Sequence, residues 1–121
     1  MLVIRAEQMR VLSDSVLPHS IEKTMRECFP DECAALGDEG CRRVIAGAIG
    51  RGRAFGFLEP QLTAYAALEI RFGSDFATNP EYQEWAAEPL LDRAGTSEDR
   101  MQRLRTNAIF YLAKLAEEAA L

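Results

Sequence analysis

One stripe of side chains constrains this chain more than anything else. Cys41, Val44, Ile45, Ala48, Ile49, Gly52 and Phe55 recur at i, i+3, i+4, i+7, i+8, i+11 and i+14. A repeat near 3.6 puts all seven on one side of an α-helix, whereas a strand would scatter them over both faces. Gly56 stands where that helix has to end. The same periodicity returns twice. Pro60 starts a helix in which Leu62, Tyr65, Ala66, Leu68 and Phe72 are apolar over a wide arc, the pattern of a central helix touched from several sides. From about Glu98 to Ala120 the apolar positions are Met101, Leu104, Ala108, Leu112, Leu115 and Ala119, with Ile109, Phe110 and Tyr111 widening the face. No segment alternates with the period of two that a half-buried strand requires.

The segments between these stripes read as breaks and restarts. A first helix is expected from about Ile4 to Val16, interrupted or restarted at Pro18, with Ser20 capping a continuation that carries Ile21, Met25 and Phe29. Pro30 opens a short turn of helix through Cys33 and Leu36, Gly37 closes it left-handed, and Asp38 caps the long striped helix. Leu68 to Pro80 reads as a buried helix end, an exit at Gly73, a short loop that buries an aromatic, and a restart at Pro80. Glu81 to about Arg93 predicts one or two short helices interrupted near Pro89. Thr96 or Ser97 caps the last helix, and Glu98 and Asp99 complement its positive end. No internal repeat, low-complexity stretch or linker divides the chain. The expectation is all-α: one domain over residues 1–121, a bundle of five to seven helices.

Composition narrows the function classes. A chain of 121 residues with 48% hydrophobic and 27% charged residues suffices for one core and is not a disordered composition. A net charge of −5 argues against a nucleic-acid partner, which calls for a dominant basic surface. No run approaches the roughly 20 apolar residues of a membrane span. Met1 to Glu7 carries charges where a signal peptide needs its apolar stretch, so a cytoplasmic protein is expected. Cys28, Cys33 and Cys41 are odd in number, which suits reduced thiols rather than a disulfide framework.

Few residues suggest chemistry. The three cysteines with His19 are zinc-type ligands, but their spacing lacks the close pairs of zinc knuckles, and Cys41 lies on the apolar stripe, so they read as core thiols. Gly47, Gly50 and Gly52 have some likeness to a phosphate-cradling loop. They fall inside a helix, however, where glycine costs about 1 kcal/mol each and close approach of a neighbouring helix is the simplest compensation. No catalytic residue, cofactor or metal ligand is assigned. Glu59, Glu69, Asp75 and Asp92 are the carboxylates from which an acid pair for hydrolysis would be drawn. Glu69 sits on the wide apolar helix and therefore needs a partner, with Arg51 or Arg53 in reach on the preceding one. What remains is a surface for protein binding: Arg42, Arg43, Arg51 and Arg53 form one basic segment and Arg100, Arg103 and Arg105 a second. Arg and aromatic side chains dominate binding hot spots. The candidate partner-binding residues are Arg42, Arg51, Arg53, Phe57, Tyr82 and Trp85, with Phe57, Leu58, Tyr82 and Trp85 expected to be exposed; the competing reading packs Trp85 into the core.

A set of motifs adds to this reading. Glu7-Gln8-Met9, Phe29-Pro30 with Cys33 and Ala35-Leu36-Gly37, Ile49-x-Arg51-x-Arg53-Ala54-x-Gly56, and Phe72-Gly73-x-Asp75-Phe76-x-x-Asn79-Pro80 with Trp85-Ala86 occur in that order. The chain thereby resembles, over roughly Ile4 to Leu91, a family of small helical proteins of Gram-negative bacteria encoded beside type VI secretion components such as PAAR spike-tip proteins and effectors. Gly52 departs from the bulkier or polar residue expected beside the arginine pair. The resemblance implies no catalytic residues. It implies a non-enzymatic adaptor or loading chaperone that binds a secretion effector or spike protein. The alternatives are a small hydrolase with Glu69 or Asp75 in a deep cleft, an immunity-type binding protein, and a homodimer formed through the last helix.

Overall fold

The computed structural model describes residues 18–120, and among them there are five helices and no strand. The expected helix from Ile4 to Val16 lies outside these residues. Helix α1 covers 18–28, α2 Pro30–Ala54, α3 Glu59–Phe72, α4 Pro80–Leu91 and α5 Ser97–Ala120. Pro18 is already helical, so Ser20 lies inside α1, where its carbonyl accepts a hydrogen bond from Thr24 Oγ1 at 3.1 Å; the cap expected at Ser20 is not formed. No helix of the described residues is long and apolar enough to cross a membrane.

Helix α2 is two helices joined at Gly37, the one residue in it with non-helical backbone (φ 75°, ψ 169°). Only glycine takes such a positive φ without strain, so the chain turns there as expected. Asp38 reaches across to α1, its Oδ1 3.1 Å from Arg26 Nη1, and Arg42 reaches back to Glu22 at 2.9 Å. The stripe behaves as its spacing demands: Cys41, Ile45, Ala48, Ile49 and Gly52 are buried and Val44 and Phe55 half-buried. Gly52 is where α2 and α3 come closest. A Cβ there would stand 2.8 Å from Leu62 Cδ2 and 3.1 Å from Tyr65 Cδ1, which explains why this position is not bulkier. At Gly50 a Cβ would meet open space, and at Gly47 only the Arg51 side chain, so close approach accounts for Gly52 alone.

Helix α3 packs on α2 and on α5, and seven of its 14 residues are buried, which makes it the centre of the bundle. Its first turn is fastened by Gln61, whose side-chain oxygen accepts from Leu58 N–H at 3.0 Å. After Gly73 the Asp75 carbonyl accepts from Thr78 and Asn79 N–H, and the turn delivers Phe76 to the core. Asn79 then caps α4 by accepting from Glu81 N–H at 3.0 Å.

Helix α4 runs through Pro89 to Leu91 rather than breaking there, a correction to the sequence expectation. Proline lacks the N–H that would bond the carbonyl four residues back. That carbonyl, of Trp85, instead accepts from Asn107 Nδ2 of α5 at 2.9 Å. Arg100, also on α5, is buried and donates to the Pro89 carbonyl at 2.9 Å and to the Leu90 carbonyl, closing the end of α4. Arg103 adds Glu88 and Asp92, each at 2.6 Å, and Asp99 at 3.1 Å. Its hydrogen bond, with those from Ala94 and Gly95 N–H, holds the Asp92 carboxyl below the usual carboxylate range. Thr96 caps α5, accepting from Asp99 N–H at 3.1 Å.

Candidate functional site

The residues singled out from the sequence are paired or packed within the bundle to differing degrees. Arg42 is exposed but bound to Glu22. Arg51 donates through Nε at 2.8 Å and Nη2 at 2.5 Å to the two oxygens of Glu69, whose side chain is fully buried. This is the inter-helix ion pair anticipated for Glu69. Arg53 lies 3.9 Å from Glu59. Phe57, expected at the surface, is only 2% exposed: its ring packs 5.9 Å from Tyr65 and lies beneath the Arg100 guanidinium, 5.0 Å away. Of the four apolar residues expected at the surface (Phe57, Leu58, Tyr82 and Trp85), only Leu58 is exposed. Tyr82 and Trp85 are half-buried in an aromatic cluster with Phe72, Phe76 and Tyr111, with centroids 5.0 Å (Phe72–Tyr82) and 5.4 Å (Phe72–Trp85) apart. Aromatic groups packed edge to face in this way serve the core.

The second basic segment is likewise divided. Arg100 and Arg103 are consumed by the contacts that fasten α4 to α5, and only Arg105 is left exposed with no ion pair among the described residues. The acids offered for hydrolysis are dispersed too. Glu69 is held by Arg51, Asp92 by Arg103 and Glu59 by Arg53, while Asp75 is exposed in the loop after α3. The arrangement of Glu69 or Asp75 in a deep cleft is not formed. Burial first, and the Glu69 carboxylate second, push the Tyr65 phenol above its usual value, so the hydroxyl stays neutral beside the ion pair. Among the described residues no three His, Cys, Asp or Glu side chains are grouped to hold a metal ion.

Among the described residues a groove of about 650 Å³ lies between α1, α3 and α5. Met25, Leu68, Phe72 and Ala108 supply buried apolar atoms to its floor. Arg71 and Arg105 border it, neither in an ion pair among the described residues, and Arg71 is steadied by its guanidinium lying 5.4 Å from the Phe72 ring centroid. Ile109 lines the groove while 64% exposed, and next to it on α5 Phe110 is 69% exposed. The apolar residues of α5 that are buried, Met101, Leu104 and Ala108, lie in its first half, and its apolar stripe continues beyond them at positions that are half-buried or exposed. Sequence reasoning missed Arg71 and Arg105 as a pair. The visible signal was that Ile109 and Phe110 make the apolar arc of α5 wider than one packing partner fills.

The class defined by fold and site is, for the described residues, an all-α bundle with an apolar groove whose charged lining residues are Arg71, Arg105 and Glu32. No protein-family model, curated protein or solved structure matches the chain.

Proposed function

We propose that this protein is a non-enzymatic adaptor or chaperone-like binding protein, and that its partner is a type VI secretion effector or spike component. The observation that carries the reading is the groove between α1, α3 and α5, apolar on its floor and edged by Arg71 and Arg105. Concave apolar surface with a few polar groups at its margin is the usual form of a site that takes a helix or loop of another protein. The secretion context rests on the motif resemblance over roughly Ile4 to Leu91, from Glu7-Gln8-Met9 to Trp85-Ala86. An immunity-type protein would bind through the same surface, and the partner's own activity separates the two roles.

The test is direct binding of the purified chain to the effector and spike proteins encoded beside its gene, read by calorimetry at low salt. Ile109→Glu is the diagnostic variant, because a residue that is 64% exposed changes without disturbing the core. The expected result is micromolar or tighter binding that Ile109→Glu weakens about tenfold or more, the effect of charge in a desolvated contact. Absence of binding to every such product, or equal affinity for the variant, defeats the proposal.

A further inference from the structure

Between residues 30 and 39 only one side chain is buried, that of Cys33; Asp31, Ala34, Ala35 and Leu36 face water and Glu32 is half-exposed. Cys33 Sγ accepts the Cys41 S–H, with the sulfurs 3.5 Å apart, and both are free thiols. The two cysteines stand on opposite sides of the break at Gly37, where nothing lies within 4 Å of the position a Cβ would take. The short limb of α2 thus buries one small side chain against the body, and the ion pair of Asp38 with Arg26 lies beyond the joint, on the long limb. Few buried contacts mean a low free energy of local opening. The only thiol that binds the limb down faces a second thiol across a flexible joint.

We propose that Cys33 and Cys41 are a redox pair that a small disulfide oxidant such as oxidised glutathione closes into an intramolecular disulfide, fixing the short limb of α2 across the Gly37 joint. In the first step one cysteine loses its proton to water and its thiolate attacks a sulfur of the oxidant, expelling one glutathione thiolate. The second cysteine, also deprotonated, attacks the protein sulfur of the mixed disulfide and expels the other glutathione. The two protein thiols give up two electrons and two protons, and the oxidant becomes two molecules of glutathione. The sulfurs must close from 3.5 Å to about 2.05 Å, a movement the Gly37 joint accommodates. Burial raises the Cys33 pKa to about 11, so the closed limb is unreactive and exchange proceeds through its opening. Cys28, exposed at the end of α1, stands outside the pair.

The experiment uses the full-length chain carrying Cys28→Ser, an exposed change that leaves the core thiols alone. The reduced protein is incubated natively with excess oxidised glutathione, and free thiols are then trapped by alkylation. The expected product has lost about 2 Da and takes up no alkylating group. Backbone amides between Cys33 and Cys41 should exchange more slowly in it than in the reduced protein. Adding Cys41→Ala to this variant abolishes the 2 Da loss. Persistence of two alkylatable thiols under native conditions, or formation of the disulfide only in urea, overturns the proposal.

Discussion

Arg51 and Glu69 form an unequal pair, because the carboxylate is sealed in the α2–α3 contact while the guanidinium is 42% exposed. Removing either partner has different consequences. Arg51→Ala leaves a buried charge without a counterion and is expected to cost about 3–5 kcal/mol. Glu69→Gln leaves only a guanidinium that can turn to water and is expected to cost about 1–2 kcal/mol. Urea unfolding at pH 7 measures both, and an equal or reversed ranking refutes the account. The need for a partner was legible in the sequence, since Glu69 interrupts an apolar arc and two arginines lie one helix away. Which arginine serves was not, because Arg51 and Arg53 lie on nearly opposite sides of the helix (about 100° per residue) and the rotation of α2 against α3 decides which of them faces Glu69. Phe57 fails for the opposite reason. Following Gly56, it reads as an exposed loop residue, yet the tight exit from α2, in which Phe57 N–H donates to the Gly52 carbonyl at 3.0 Å, folds its ring inward.

Elements were largely legible from their stripes, and their junctions were not. The boundaries at Pro30, Gly37, Gly73 and Pro80 follow from backbone restrictions that act within a few residues. Pro89 has the same restriction but a different outcome, because Asn107, 18 positions further on, accepts the task of its missing N–H. No local rule contains that information. A double-mutant cycle tests it. Asn107→Ala should cost about 1–2 kcal/mol by orphaning the Trp85 carbonyl. In a Pro89→Ala background the restored N–H can bond that carbonyl, so the same change should cost less by about 1 kcal/mol. Additive costs in thermal or urea unfolding dismiss the explanation.

At the scale of the whole molecule the bundle is tight around α3 and loose at its margin. The buried positions of α5 stop at Ala108, and every residue from Ala113 to Ala120 is exposed. Helix propensity alone supports isolated helices poorly. Native-state hydrogen exchange should therefore be faster for the amides of 114–120 than for those of 101–111, by about tenfold or more. Uniform protection along α5 would mean that something covers its second half. The groove belongs to this same scale, since it depends on where α5 parts from α3 and α1. The sequence by itself determined an all-α chain, the places where it bends, and the faces its helices bury, because periodicity and the φ limits of glycine and proline act over a few residues. Tertiary structure decided which arginines are spent on internal carboxylates and which two, Arg71 and Arg105, stay at the edge of an open apolar surface, because the angles and offsets between helices are set by packing among residues far apart in the chain.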